Sequence, residues 1–404
     1  MLYYLVRPVA RYVLSYYYRN IDITGLDHIP RDAPVILAAN HPTAFIEPCL
    51  LACFQSRTLH FLARGDLFRS TVATLVLRAL NMLPVYRIQD GGYDKLVRNY
   101  DTFDECYTAL SQHRALMILA EGRCIHEKRL RPLRKGTARI ALGALDRDNT
   151  LREVYIVPVG VNFTAADQTR SKVMIRCGEP LLASRYLSEY RKQEMTAMRS
   201  LTDDLRTALS TLVVQLPDGV DVAAFDTVLE TRDHAAARGQ RGITHSGKTL
   251  DAELATSSGA LPDMAGTLRY AARLKKHGLR DDDVAPPMTS AIKMPLTALP
   301  AAVLLLPQLP GWLLAETIAL RGPKTVEFYS PVRFAAIAVI TLLYLPAVFF
   351  LPWPVAVWLI LSLLTVRWAL RKVEDWLDWR GHRKFMQLSV AEREELQRMR
   401  EALL

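Results

Sequence analysis

Cysteine is scarce in this sequence and poorly spaced for its structural uses. Cys49, Cys53, Cys106, Cys124 and Cys177 are odd in number and include no CxxC pair. That argues against a disulfide framework and a zinc site, and it fits a reducing compartment. No cluster of metal-ligand residues at ligand spacing occurs, so neither a metal nor another cofactor is called for. The first residues, Met1 to Tyr18, lack the marks of a cleaved leader: Arg7 and Arg11 interrupt the apolar stretch, and no small-residue cleavage site follows. Nucleic-acid-binding motifs and internal repeats are also missing.

What is present is positive charge and a great deal of apolar surface. The 404 residues carry 51 Lys and Arg against 41 Asp and Glu, a net charge of +10, and half of them are hydrophobic. A basic balance suits anionic partners. Without a nucleic-acid motif, those partners are lipid and small phosphates. Arginine, with its forked guanidinium, favours bidentate contacts with phosphate.

Composition divides the chain. Residues 1–19 read as an amphipathic interfacial helix rich in Leu, Val and Tyr. Residues 20–216 alternate short apolar runs with helical periodicity, the pattern of an α/β domain with a mixed central sheet flanked by helices. Residues 217–289 form a helical and polar linker region, with the stretch from His234 to Pro262 as a linker or mobile loop. Residues 290–370 are hydrophobic membrane helices, and residues 371–404 a charged helix. Leu296 to Leu320 is an apolar stretch of 25 residues, enough for a bilayer core, which requires about 20. Pro300, Pro307 and Pro310 predict a kink or break in it, and Glu316 needs protein around it or a place near the interface. Phe334 to Val366 is too long for one untilted span. Pro346, Pro352 and Pro354 predict two short helices in a hairpin, transmembrane or re-entrant, with a single tilted span as the alternative.

Within residues 20–216, the expected strands include Val35 to Ala39, His60 to Ala63, Ala115 to Leu119, Val154 to Phe163 and Lys172 to Cys177. Helices are expected over Phe68 to Leu80, Tyr93 to His113, Gly136 to Asp146 and Tyr186 to Leu216. Four constellations fall at strand ends or on strands. Asn40-His41-Pro42 follows the first strand, where α/β folds place their sites, and Glu47 lies six residues beyond His41. A turn that brings Glu47 back lets its carboxylate hold one ring nitrogen, leaving the other to take a proton from an alcohol. Pro84 to Arg87 ends in a guanidinium suited to phosphate. Glu121-Gly122-Arg123 closes another strand, where Gly122 permits a tight turn with exposed amides. Arg131, Arg134 and Lys135 add cations before Gly136-Thr137 opens a helix whose amino end also attracts anions. Pro158 to Phe163 lies on a strand.

These four blocks, in this order, resemble the PlsC-like glycerolipid acyltransferase family, the glycerol-3-phosphate and 1-acylglycerol-3-phosphate acyltransferases. The closest branch has hydrophobic helices near the carboxyl end. The resemblance implies that His41 and Glu47 are catalytic, and that Arg87, Glu121, Gly122, Arg123, Arg131 and Lys135 belong to the phosphate-binding region. It also implies that Pro158 and Gly160 serve the acyl donor. Two departures stand out: Glu47 replaces the family's usual Asp, and Cys124 stands where that branch often has Ser.

The resemblance therefore implies a membrane-bound O-acyltransferase moving a fatty acyl group from acyl-CoA or acyl carrier protein to glycerol-3-phosphate or lysophosphatidate, with His41 as general base. The expected partners are the bilayer, the donor and the acceptor. The expected place is a bacterial inner membrane, with the catalytic domain facing the cytosol. Alternatives are another lipid acceptor, of the lipid A type or in lysophospholipid remodelling, and a non-catalytic lipid-binding relative.

Overall fold

The computed structural model describes residues 1–86, 98–285 and 294–404. They divide into two compact units. One comprises Met1–Tyr12, Ile23–Asn162 and Met174–Val213; the other comprises Val13–Asp22, Phe163–Val173 and Val214–Leu404.

The first unit is built on strands β2 (Val35–Ala39), β3 (Leu59–Arg64), β4 (Met82–Val85), β5 (Ala115–Leu119), β6 (Tyr155–Phe163), β7 (Lys172–Cys177) and β8 (Leu181–Leu182), all following the earlier strand β1 (Asn20–Thr24). Their order is β4-β3-β5-β2-β6-β7. β2 is parallel to β5 on one side and to β6 on the other, with Ala39 opposite Leu119 and Val159. All five residues of β2 are buried, as expected of a parallel strand covered on both faces. β8 runs antiparallel to β6, which makes the sheet mixed. Ile36, Ala38, Leu116 and Ile156 pack with Ile140 and Leu145 of helix Gly136–Arg147 and with Leu201 and Leu205 of helix Glu194–Ser210. Because β2, β3, β4 and β5 are mutually parallel, the segments after them leave from the same edge of the sheet.

Several elements differ from expectation. The helix expected over Phe68 to Leu80 covers Thr71–Ala79, capped by the Ser70 side chain, which accepts from Ala73 N–H. The long helix expected from Tyr186 to Leu216 is two pieces, Leu187–Tyr190 and Glu194–Ser210. Gln193 between them is non-helical, with φ −146° and ψ 84°, so the periodicity carries across a joint that the backbone does not.

The second unit pairs β1 with β9 (Gly242–Thr244) in parallel through residues Asn20 to Asp22. The stretch read as a linker is ordered: helices Val222–Ala236 and Lys248–Ser258 flank β9, and Thr249, Leu250, Glu253 and Thr256 are buried. Polar residues fill this region because they face one another. Lys172 Nζ pairs with Asp233 at 2.6 Å, and Asp22 accepts from Ser246 and Gly247 N–H, each at 2.9 Å. The helix read as interfacial is Leu2–Tyr17. Within it, Tyr4 and Leu5 are exposed, whereas Val13, Leu14, Tyr16 and Tyr17 are buried.

Three helices of this unit are long and apolar enough to cross a membrane: Leu296–Arg321, Val326–Phe350 and Trp353–Met386. The first is interrupted by a 3-10 turn at Leu306–Gln308, around Pro307. The apolar stretch from Phe334 to Val366 is broken at Leu351-Pro352, as its prolines predict. The helix after the break is not short, however. It runs for 34 residues into the charged region, since no proline follows Pro354 to stop it. Polar groups within these helices are paired: Gln308 donates to Ser362 Oγ at 3.0 Å, and Glu316 lies 2.8 Å from Arg333 Nε. Such pairing is what a carboxylate inside a bilayer would require.

Candidate active site

The segment after β2 is held in place before any side-chain chemistry begins. Asn40 Nδ2 donates to Val161 O at 2.9 Å, and Val161 N–H donates to Asn40 Oδ1 at 2.8 Å. The side-chain amide thus continues the β2–β6 ladder after its main chain has turned away. His41 follows with its ring largely buried. Its main-chain N–H donates to Glu121 Oε2 at 3.1 Å, and its carbonyl accepts from Ile125 N–H at 3.4 Å.

Glu47 does return toward His41. Its residue is fully buried, and Oε2 lies 3.9 Å from His41 Nδ1. This is beyond hydrogen-bond length, and Nδ1 is buried without a hydrogen-bond partner. The carboxylate is bound instead to Thr43, whose N–H donates at 2.5 Å and whose hydroxyl donates at 3.0 Å. The same hydroxyl accepts from Ile46 N–H at 3.3 Å, where helix Ile46–Phe54 begins. A buried carboxylate is costly unless it is hydrogen-bonded, and Thr43 supplies both bonds. A proton on Nδ1 facing this carboxylate leaves Nε2 as the basic nitrogen.

The two segments after β5 fold against each other. Arg131 N–H donates to Glu121 Oε1 at 3.0 Å, and Arg134 N–H to Ala120 O at 2.8 Å. The Arg131 guanidinium binds Glu121 Oε2 at 2.5 Å, and it also reaches the carbonyls of Arg123 and His41. Glu121 and Arg131, both assigned to phosphate contact by the resemblance, are thus engaged mainly with each other and with His41's backbone. Gly122 sits at φ +70°, the left-handed conformation that favours glycine. Its N–H turns back to Leu119 O at 3.1 Å, so the amide is not open to an anion as expected. Arg123 and Arg134 are exposed, and Lys135 is half-buried at the amino end of helix Gly136–Arg147. Thr137, in the first turn of that helix, has a buried hydroxyl without a partner.

Arg87 lies outside the described residues. Tyr86, just before it, packs so closely on Gly65 that a Cβ there would lie 2.3 Å from the ring. Pro158 and Gly160 are core positions on β6. Pro158 O accepts from Gly178 N–H at 2.8 Å, and a Cβ on Gly160 would lie 2.2 Å from Leu212 O. Burial raises the thiols of Cys53, Cys106 and Cys177 to about 12 each, so these three are poor nucleophiles. No group of three or more His, Cys, Asp or Glu that could hold a metal occurs among the described residues.

Two residues of this site have roles that spacing did not reveal. Asn40 anchors the turn that presents His41, and Thr43 holds Glu47. Thr43 stands four positions before Glu47, one more than the spacing that signals a capped helix start, so the pair carries no sequence signal.

Residues 20–162 match a protein-family model described as Acyltransferase. Over 138 residues the chain is 26% identical to glycerol-3-phosphate O-acyltransferase 2 of Saccharomyces cerevisiae, covering 34% of this chain and 18% of the yeast protein. Over 129 residues it is 25% identical to glycerol-3-phosphate O-acyltransferase 1 of the same yeast, covering 31% and 17%. The chain thus spans less than a fifth of the yeast proteins' length. The crystal structure of the 1-acyl-sn-glycerophosphate acyltransferase PlsC from Thermotoga maritima aligns at a TM-score of 0.36 and 19% identity, covering 50% of this chain and 80% of that one.

Proposed function

We propose, from the premise that residues 20–162 belong to the acyltransferase family, that this chain transfers a fatty acyl group from a thioester to a hydroxyl of glycerol-3-phosphate or its monoacyl form. The observation carrying this reading is the setting of His41: Nδ1 is buried and unpartnered 3.9 Å from the tethered carboxylate of Glu47. In the proposed mechanism, Nε2 takes the proton of the acceptor hydroxyl as its oxygen attacks the thioester carbonyl. The tetrahedral intermediate collapses, the C–S bond breaks, and the imidazolium returns the proton to the leaving thiolate. The charge gained by the ring is stabilised by Glu47, which reaches hydrogen-bond length when substrate closes the site. With the amides of Gly122, Thr43 and Ile46 engaged, oxyanion stabilisation falls in this reading to the other main-chain amides near the start of the helix after His41.

Acceptor phosphate is bound by Arg123 and Lys135, together with Arg87, in this reading. Glu121 and Arg131 position the loops that carry those cations. The donor is acyl-CoA or acyl carrier protein, and the apolar helices hold the enzyme where lipid product and water-soluble donor meet. The free thiols fit a site facing the cytosol of a bacterial inner membrane.

The test is acyl transfer by the full chain in membranes, offered labelled acyl-CoA or acyl carrier protein with either acceptor. His41→Ala is expected to lower turnover by about 10²–10⁴-fold while expression and membrane association persist. Near-normal turnover in that variant refutes the assignment.

A further inference from the structure

The helix Trp353–Met386 is longer than a membrane requires. Of its 34 residues, about 20 cross a hydrocarbon core, and the remaining turns extend roughly 21 Å beyond it. On that extension lies an open cleft of about 830 Å³, lined chiefly by Arg280, Asp283, Trp379, Arg380, Arg383 and Lys384. The size falls within the range of small-molecule sites, about 300–1,000 Å³.

Charge distribution sets this cleft apart from its surroundings in the same unit. Nearby guanidiniums are spent on carboxylates of the same helix: Arg170 on Glu374, Arg241 on Asp375 and Asp378, and Arg19 on Asp378. Arg380, Arg383 and Lys384, by contrast, have no carboxylate partner among the described residues. Arg380 stacks on Trp376 at 5.6 Å, and Arg383 on Trp379 at 4.9 Å. Lys384 Nζ donates to Gly278 O at 3.3 Å. These contacts hold the cations in place without neutralising them, which lowers the entropy lost when an anion binds. The lining carboxylate, Asp283, is already engaged by the main-chain N–H of Arg280 at 2.8 Å and its guanidinium at 3.4 Å. Gly381 lets the helix pass this carboxylate, since a Cβ there would meet Asp283 Oδ1 at 1.9 Å.

We propose that this cleft binds a phosphate ester, either the headgroup of an anionic phospholipid or a free phosphorylated solute, using Arg380, Arg383 and Lys384. A basic pocket just outside a membrane helix is the arrangement that captures acidic headgroups. The site shares no residue with the His41 constellation, so its occupancy is independent of the acyl-transfer chemistry.

The test uses the full chain in phosphatidylcholine nanodiscs, with and without phosphatidylglycerol, and with inorganic phosphate or glycerol-3-phosphate as soluble probes. Retained lipid is read by native mass spectrometry, and solute binding by quenching of tryptophan emission. Relative to the unmodified chain, Arg380→Gln/Arg383→Gln and the milder Lys384→Gln are expected to weaken capture of the preferred probe by about fivefold per charge removed. Acyl-transfer turnover at saturating substrate stays unchanged in Lys384→Gln. Weakened phosphatidylglycerol retention identifies a headgroup site, and weakened solute binding alone identifies a soluble phosphate site; either supports the proposal. Equal retention and equal quenching in all three proteins overturn it.

Discussion

The main-chain N–H of His41 donates to the Glu121 carboxylate at 3.1 Å. Two blocks 80 positions apart in the sequence are thereby joined at the carboxyl ends of neighbouring strands. The carboxylate that receives this bond also holds Arg131, so the loop carrying the cations and the turn carrying the base share one anchor.

Glu121→Gln should separate these duties. The amide oxygen can still accept from His41, but the ion pair with half-buried Arg131 is lost. Turnover is expected to fall about tenfold, the kinetic equivalent of ~1.4 kcal/mol, with a larger rise in KM for the phosphorylated acceptor than for the donor. Steady-state kinetics with each substrate varied checks this, and equal changes in both KM values would contradict it.

Thr43→Val removes the hydroxyl that donates to Glu47 while keeping the side-chain shape. Loss of a hydrogen bond to a buried carboxylate costs about 1.5–3 kcal/mol, and the carboxylate, left with the Thr43 N–H alone, is held less firmly opposite His41. Both thermal stability and kcat should fall, whereas Thr43→Ser should restore most of each. A Thr43→Ser variant as impaired as Thr43→Val would show that the methyl group, not the hydroxyl, matters.

Gly160→Ala tests a position implied by resemblance to serve the donor. The added Cβ would lie 2.2 Å from Leu212 O and 2.6 Å from Leu212 Cβ; a backbone oxygen gives way only if the main chain moves. Overpacking of this kind costs about 1–3 kcal/mol. The expected result is a lower Tm with little change in donor KM for the protein that folds. An unchanged Tm with a raised donor KM would assign Gly160 to the donor instead.

Stability should depend on pH through a buried cluster in the second unit. Burial lowers the His234 pKa, but the hydrogen bond its ring donates to Asp281 and the charges of Asp282 and Asp281 outweigh it, leaving the pKa raised above 6.5. Burial raises Asp281, but bonds from His234, Arg400 and Tyr270 bring it down to about 2. For His234 the folded pKa exceeds the unfolded one, so its contribution is full below about pH 6.5 and is lost as pH rises through the folded value. For Asp281 the contribution is present above about pH 4 and is lost as pH falls toward 2. Thermal unfolding of the detergent-solubilised protein should therefore show Tm declining above pH 6.5. His234→Gln should flatten that decline; a slope identical in the two proteins would rule out His234 as its source.

Much of the fold was legible because local patterns coincide with long-range burial. Val35 to Ala39 and Ala115 to Leu119 are continuous apolar runs, and a strand buried on both faces requires such a run. The apolar region breaks at Pro307 and Pro352, as proline allows, whereas Pro300 and Pro346 lie inside helices, so composition anticipated that there would be breaks but not which prolines would make them. The linker from His234 to Pro262 was misread for the converse reason. Its polar residues read as solvated, yet Asp22 binds Ser246 and Gly247, and Asp281 binds His234, from distant parts of the sequence, and composition carries no information about partners.

The amino-acid sequence by itself determined which segments are apolar enough to form a buried sheet or cross a bilayer, and which reactive residues follow strand ends. Those properties reside in side-chain chemistry and short spacing. Only the tertiary structure decided that Asn40 locks onto β6, that Thr43 rather than His41 binds Glu47 most closely, and that Glu121 and Arg131 neutralise each other. Each of those outcomes depends on a buried polar atom seeking a partner, and the partner is fixed by strand order and register rather than by neighbours in the chain.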